Sequence, residues 1–178
     1  KLLFFGLIGG TVFFTVAFVW YSRDLPDPNG IQRKEGFSTQ ILDREGSVVL
    51  FDVYEDENRT FTPLDQIPVV LKQATISIED KDFYEHQGFD PLAFLRILKN
   101  VIFRQRVIGG STLTQQLVKN VLLTSERRLS RKVKELVLAV QIERKFSKDE
   151  ILQMYLNEAP YGGTAWGVET ASEVYFGK

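Results

Sequence analysis

The distribution of hydrophobic and polar positions divides the chain into an uncharged opening stretch, a linker, a strand region and a long helical region. Residues 2–21 carry no charged side chain over 20 positions. At about 1.5 Å per residue, a helix of this length spans the roughly 30 Å hydrocarbon core of a bilayer. We therefore predict a transmembrane anchor over residues 1–22. A cleaved signal peptide is the weaker interpretation, because the stretch is long and no small-x-small cleavage site follows it.

The region after the anchor favours turns first and strands next. Residues 23–36 include the run DLPDPNG, which predicts a linker because Pro, Asp and Gly favour turns over regular structure. Residues 37–62 contain two apolar stretches of strand character on either side of Asp43-Arg44-Glu45-Gly46. This pattern predicts a small β-hairpin with a four-residue turn, close to the membrane end of the protein.

Residues 63–178 combine helical spacing of hydrophobic positions with recurrent helix-start signals. The predicted starts are Asp90-Pro91, Thr112 with Gln115, Ser130, and Ser147 with Glu150. Ser, Thr and Asp accept hydrogen bonds from the free N–H groups of the first turn, and a Glu or Gln three residues later completes a capping box. The predicted inward-facing residues are Leu113, Leu117 and Val121, then Val133, Leu136, Val137 and Val140, and finally Ile151, Met154 and Tyr155. The predicted fold class is therefore mainly α with one small β element.

Composition and charge narrow the function classes. The net charge is −1, which argues against a nucleic-acid partner, and the absence of cysteine excludes a disulfide scaffold or a thiolate nucleophile. Charge is nevertheless segregated along the chain. Residues 24–90 contain 15 acidic and 6 basic residues, whereas residues 96–134 contain 10 basic residues and one acidic residue. A domain built in this way carries a positive face suited to an anionic ligand.

Several polar residues in the helical region could carry chemistry or serve only the fold. Glu79-Asp80 follows the apolar segment PVVLKQATISI, whose burial would place Glu79 at the inner edge of a cleft, although such pairs are commonly solvated. Gly109-Gly110-Ser111-Thr112 offers N–H groups and hydroxyls at a helix start, which suits either an anion or an ordinary cap. Arg131 and Glu135 share one helix face, as a surface ion pair would. His86, the only histidine, is predicted to have a structural hydrogen-bonding role.

Four motifs in order along the chain resemble the signature of the family 51 peptidoglycan glycosyltransferases. They read EDKDFYEHQGFD, GGSTLTQQLVKN, RKVKELVLAVQIE and KDEILQMYLN. This family comprises the polymerase domain of class A penicillin-binding proteins and their monofunctional relatives. The resemblance implies a lysozyme-like glycosyltransferase domain over residues 63–178, truncated at its C-terminus, preceded by the hairpin and an N-terminal transmembrane helix.

The resemblance also implies roles for residues at the matching positions. Glu79 would be the general base, and Glu135 would be the second acidic residue of the catalytic site. The implied substrate-binding residues are Ser111, Thr112, Gln116, Lys119, Arg131 and Lys132. Of these, the three cationic side chains would hold a pyrophosphate. No metal-binding residue is implied, although some relatives use a divalent cation, Mg²⁺ or Mn²⁺.

The implied activity is polymerisation of lipid II into glycan strands, with inversion at the anomeric carbon and release of undecaprenyl pyrophosphate. The implied partners are lipid II, the growing glycan strand, the membrane and other cell-wall synthesis proteins. The implied location is the cytoplasmic (inner) membrane, with a single span and the catalytic domain on the extracytoplasmic face. Two alternatives stay open. One is a lysozyme-like lytic transglycosylase or hydrolase, which has no pyrophosphate to hold, and the other is a non-catalytic membrane-tethered module that binds lipid phosphates.

Overall fold

The computed structural model describes residues 25–31, 39–47, 49–53, 58–90, 110–123 and 129–177, together with Val16 in a helix. The predicted anchor over residues 1–22 therefore lies outside the described residues, apart from Val16. The helix predicted to begin at Asp90-Pro91 also lies outside the described residues, which include Asp90 but not Pro91. In the part of the chain that the structure describes, none of the helices combines the length and apolar character that a bilayer crossing requires.

The predicted hairpin is confirmed. Strand β1, Thr39–Leu42, pairs in antiparallel fashion with strand β2, Val49–Val53. The Asp43 carboxylate closes the turn by accepting the backbone N–H of Ser47 at 2.7 Å and its hydroxyl at 3.1 Å. Gly46, at φ 70°, donates its N–H to the Asp43 carbonyl at 3.1 Å. The turn chemistry read from the sequence thus fixes the connection locally.

Helices make up most of the remaining described chain, as predicted. Their bounds are Val69–Glu79 for α1, Leu113–Leu122 for α2, Leu129–Lys145 for α3, Lys148–Glu158 for α4 and Val168–Phe176 for α5, and Pro28–Ile31 form a short 3-10 helix. Helix α4 begins with the complete capping box predicted at Ser147 and Glu150. At α2 only half of the predicted box forms. Thr112 accepts the N–H of Gln115 at 3.3 Å, but the Gln115 amide donates to the Gly88 carbonyl instead of returning to the cap.

A small three-stranded sheet ties the chain before α1 to the end of α4. Strands β3, Asn58–Arg59, β4, Pro160–Gly162, and β5, Ala165–Trp166, are arranged in the order β3-β5-β4, with β3 parallel to β5. The buried guanidinium of Arg59 pairs with Glu158 at 2.8 Å and lies 5.0 Å from the centre of the Trp166 ring.

The domain boundaries predicted at residues 22, 36 and 62 stay predictions.

The core lies where α2, α3 and α4 pack together. The fully buried hydrophobic side chains of these helices are Leu113, Leu117, Val118, Val137, Leu138, Ala139, Ile142, Ile151, Leu152 and Leu156. The inward faces predicted for α2 and α4 are confirmed, since Leu113, Leu117, Ile151 and Tyr155 are buried and Met154 packs against the core. Phe83, from the loop after α1, joins the same cluster.

The prediction for α3 was wrong in two respects. The helix already includes Leu129, so Ser130 lies inside it and does not precede it as a cap. Of the predicted inward residues Val133, Leu136, Val137 and Val140, only Val137 is buried, while the others are half-buried. The buried stripe contains Glu135, Leu138, Ala139 and Ile142, spaced at i, i+3, i+4 and i+7. Because Glu135 occupies one of these inward positions, a prediction from apolar residues alone misplaces the inward face of α3.

Candidate active site

Asp80, the residue after α1, fastens the following loop to the start of α2. Its buried carboxylate accepts the backbone N–H of Leu113 at 2.9 Å and lies 2.9 Å from Nε2 of His86. The N–H of Gly88 donates to Nδ1 of His86 at 3.2 Å. Because Nδ1 accepts this hydrogen bond, Nε2 is the ring nitrogen that donates to Asp80. This contact agrees with the structural role predicted for His86.

Gly88 brings this loop into close contact with the start of α2 and with α3. Its carbonyl accepts both the Thr112 hydroxyl and the Gln115 side-chain amide, each at 3.0 Å. Its φ of +78° lies in the region that favours glycine. A Cβ at this position would lie 2.8 Å from the backbone carbonyl carbon and oxygen of Ala139 in α3. The loop, the start of α2 and the middle of α3 are therefore held as one unit.

Gly88→Ala is expected to destabilise the protein by about 2–5 kcal/mol, because left-handed strain and backbone overpacking act together. The matched control is Gly46→Ala, since Gly46 has a φ of +70° but no atom within 4 Å of the added Cβ. That control is expected to cost only the strain, about 1–2 kcal/mol. Denaturant unfolding measures both variants. Equal losses would contradict the close packing of Gly88 against α3.

A cleft of about 370 Å³ opens between α1, α2 and the end of α4. Its lining residues come from α1 (Leu71, Ala74, Thr75, Ile78 and Glu79), from α2 (Gln116, Lys119 and Asn120), and from α4 and the segment after it (Tyr155, Ala159, Pro160 and Tyr161). Glu79 is the last residue of α1, and its Oε2 accepts the side-chain amide of Gln116 at 2.9 Å. One wall is thus largely apolar, and the facing wall carries an amide and a cation.

The predicted burial of the segment before Glu79 was wrong. No residue of α1 is buried, and the side chains of Val70 and Ile78 are 76% and 80% exposed. The apolar residues are spread around the helix, so they cannot all face the core. Ile76 alone among them packs partly against the core cluster. Glu79 is consequently exposed, and it lies in the open cleft and not at a buried inner edge.

The polar side chains of the cleft, Glu79, Gln116 and Lys119, form one polar group. Four other predicted site residues form a second polar group beside the start of α2. The carboxylate of Glu135, only 2% exposed, accepts Nε of Arg131 at 3.0 Å and Nζ of Lys132 at 2.8 Å. The same Nζ lies 2.7 Å from the hydroxyl of Ser111. Both cations remain in contact with solvent, with about a quarter and a half of their side chains exposed (24% and 52%). We name Ser111, Arg131, Lys132 and Glu135 the cation cluster.

Helix α2 carries or adjoins both polar groups. Ser111 immediately precedes its cap, while Gln116 and Lys119 project from its first two turns into the cleft. Lys119 is exposed and makes no ion pair or hydrogen bond with any residue that the structure describes. Thr112 belongs to neither group. Thr112 is buried, with 3% of the residue exposed. Its hydroxyl accepts the N–H of Gln115 at the helix cap and donates to the carbonyl of Gly88.

Two tyrosines of the cleft were not among the predicted site residues. Tyr155 in α4 is buried, and its hydroxyl donates to Oε1 of Gln116 at 3.3 Å. Burial first, then the charge of Glu79 and the neighbouring Tyr161, raises the pKa of Tyr155 far above its ordinary value, so the hydroxyl keeps its proton. Burial and the charge of Glu79 also raise the pKa of Tyr161. The spacing of Tyr155 in the sequence predicts a core residue. The one further signal is that a buried tyrosine hydroxyl usually needs a hydrogen-bond partner.

Known proteins resemble this chain over most of its length. A family model described as "Transglycosylase" matches residues 46–178. The chain belongs to this transglycosylase family. The match contains all four motifs and both polar groups, and it confirms the predicted resemblance.

Individual relatives of this transglycosylase chain are named as penicillin-binding proteins. Penicillin-binding protein 1A of Rickettsia bellii is 44% identical over 164 residues, covering 89% of this chain and 20% of the relative. Penicillin-binding protein 1A/1B of Bacillus subtilis is 40% identical over 176 residues, covering 97% of this chain and 18% of the relative. Penicillin-binding protein 1A of Aquifex aeolicus is 40% identical over 158 residues, covering 88% and 22%. The chain therefore spans about a fifth of the length of these curated relatives.

Proposed function

We propose that this transglycosylase chain catalyses the polymerisation of lipid II into peptidoglycan glycan strands. The observation that carries the proposal is the placement of Glu79 in a cleft opposite Lys119 of α2, with the cation cluster beside the start of the same helix. Family membership and relatives named as penicillin-binding proteins support it. The mainly helical fold is consistent with a lysozyme-like domain, in which a glutamate in a cleft acts on a glycan.

In the proposed reaction Glu79 acts as the general base. Its carboxylate removes the proton from the 4-hydroxyl of the acceptor N-acetylglucosamine, and that oxygen attacks the anomeric carbon of the lipid-linked donor. The new glycosidic C–O bond forms as the bond from the anomeric carbon to the pyrophosphate oxygen breaks. The electron pair leaves with undecaprenyl pyrophosphate. Attack from the face opposite the leaving group converts the α-linkage of the donor to a β-linkage in the strand.

The cationic side chains stabilise the leaving group in this proposal. Negative charge develops on the pyrophosphate as the bond breaks, and fixed cations placed where charge develops lower the barrier. Lys119 has no competing partner among the described residues, so it is available to the pyrophosphate. Arg131 and Lys132 are oriented by Glu135, and their side chains remain partly exposed. Glu135 is thus the acidic residue that holds the cations.

A divalent cation that the protein binds by itself needs several ligands from its own side chains. Within the described ranges no group of three or more His, Asp or Glu side chains could hold one. Both oxygens of Glu135 already accept hydrogen bonds from Arg131 and Lys132. We therefore assign no step of the reaction to Mg²⁺ or Mn²⁺, and the proposed stabilisation of the pyrophosphate rests on the protein's own cations.

The proposal extends to the site of action. Both substrates are lipid-linked, so an enzyme fixed to the bilayer meets them in two dimensions. The 20 uncharged residues at positions 2–21 support a single transmembrane anchor in the cytoplasmic membrane, with the catalytic domain on the extracytoplasmic face. Other cell-wall synthesis proteins are the proposed partners at that surface.

The test is incubation of the full-length protein in detergent with lipid II, followed by separation of the products by glycan length. Long strands with β-linkages, together with released undecaprenyl pyrophosphate, are expected. Cleavage of preformed strands without elongation would replace the proposal with a lytic enzyme. Binding of lipid II without turnover would replace it with a non-catalytic lipid-phosphate-binding module.

A further inference from the structure

A chain of two hydrogen bonds connects the core of the protein to Glu79. The hydroxyl of Tyr155 is 3.3 Å from Oε1 of Gln116, and Nε2 of Gln116 is 2.9 Å from Oε2 of Glu79. The direction of both bonds is fixed by chemistry. An ionised carboxylate can only accept, so the amide nitrogen must face Glu79 and the amide oxygen must face Tyr155. The tyrosine hydroxyl is therefore the donor at the inner end of the chain.

The three residues differ sharply in exposure. Tyr155 is 7% exposed and packs in the core cluster with α2 and α4, Gln116 is half-buried, and Glu79 is exposed. They come from α4, α2 and α1, respectively. Because the tyrosine ring is fixed by packing, its hydroxyl is a fixed point, and Gln116 transmits that position outward. A raised pKa keeps the hydroxyl protonated as the donor.

Glu79 needs such a restraint, because little else holds its side chain. Its bond to Gln116 is the one hydrogen bond that it makes with any residue described by the structure. An exposed glutamate otherwise samples many rotamers, and fixing it costs conformational entropy. With Oε2 occupied by the amide, Oε1 makes no hydrogen bond within the described ranges. Oε1 is thus the oxygen left to accept a proton from a substrate hydroxyl.

We propose that Tyr155 is a positioning residue that orients the Glu79 carboxylate through Gln116. The proposal rests on the proposed function of Glu79 as the general base. In this arrangement the hydroxyl acts through its hydrogen bond to Gln116. It fixes the amide orientation of Gln116, and the amide fixes which carboxylate oxygen faces the cleft.

The first test is Tyr155→Phe, which removes the hydroxyl and keeps the packed ring. We expect kcat for lipid II polymerisation to fall about tenfold, because a general base displaced from its reactive geometry loses rate, whereas KM stays close to the wild-type value. The matched control is Tyr84→Phe. The hydroxyl of Tyr84 also donates to a carboxylate, that of Asp149 at 3.0 Å, but lies outside the cleft. This control is expected to retain wild-type kcat.

A double-mutant cycle separates positioning through Gln116 from a general structural effect. Gln116→Met breaks both hydrogen bonds, so adding Tyr155→Phe to it should lower kcat no further. Losses that multiply in the double variant would overturn the proposal, as would a fully active Tyr155→Phe protein. Thermal unfolding of each variant checks that it is folded. If Tyr155→Phe does not fold, the proposal then depends on Gln116→Met alone, for which an unchanged kcat would overturn it.

The same experiment separates the two proposals. A wild-type protein that makes no strands would overturn the proposed function, and the positioning role would fall with it. An active wild type beside an unaffected Tyr155→Phe would overturn the positioning role alone and leave the polymerase function standing.

Discussion

Replacement of Glu79 by glutamine is expected to lower the rate of lipid II polymerisation by about 10³-fold or more. A positioned general base contributes roughly 10²–10⁴-fold, and without it the acceptor hydroxyl is no longer activated. Glutamine has the same shape but cannot take a proton. The fold should persist, because Glu79 is exposed and ends α1. A negative charge at the C-terminal end of a helix is unfavourable, so its removal should not destabilise the protein.

The measurement compares initial rates of strand formation by wild type and Glu79→Gln, with unfolding curves for both. The matched control is Glu85→Gln, an exposed glutamate in the loop that follows, outside the lining of the cleft. It should polymerise at the wild-type rate. A folded Glu79→Gln protein with substantial polymerase activity would exclude Glu79 as the base.

The local features of the fold could be predicted from the sequence. The hairpin turn and the cap of α4 are local features, and both form as the local chemistry requires, whereas only half of the predicted box forms at α2 and Ser130 does not cap α3. Asp43 closes its turn, and Ser147 and Glu150 form their box. An acid such as Glu79 at the unfavourable end of a helix points to function, because it contributes nothing to the helix itself.

Properties that depend on packing between distant segments could not be predicted in the same way. The apolar residues of α1 suggested burial, but whether a helix is covered depends on the elements that meet it, and Ile78 is left 80% exposed. In α3 the inward stripe includes Glu135, which the hydrophobic pattern assigns to the surface. A buried carboxylate must be paired, and Arg131 and Lys132 of the same helix pair with Glu135.

The role of Tyr155 shows the same limit at the site. Its spacing marks it as a core residue, and the structure agrees. Its hydroxyl meets Gln116, which lies 39 residues away in the sequence, and no local pattern records that contact. Motif resemblance supplied Glu79 and Gln116 as separate members of the site. The link between them became visible only from the three helices together.

Glu135→Gln is expected to lower kcat/KM for lipid II about 10²-fold, because displacing groups that hold the substrate by a fraction of a helical turn can cost this much. The carboxylate accepts one bond from Arg131 and one from Lys132, and the latter also reaches Ser111. Glutamine offers one oxygen and one NH₂ group, and the NH₂ would face one of the two cations. That cation must move, and the pyrophosphate then meets a displaced positive charge.

A loss of stability alone could also lower activity, so the control must be a second glutamate on α3 whose side chain is shielded from solvent. Glu143 accepts the Thr114 hydroxyl at 2.5 Å and pairs with Lys148 at 2.6 Å, away from the cation cluster. Each Glu→Gln change is expected to destabilise the protein by about 2 kcal/mol through the loss of a charged hydrogen bond. Only Glu135→Gln should reduce the kcat/KM of the folded protein. Equal catalytic losses in the two variants would mean that Glu135 supports the scaffold and does not position the cations, because both changes disturb α3 but only one disturbs Arg131 and Lys132.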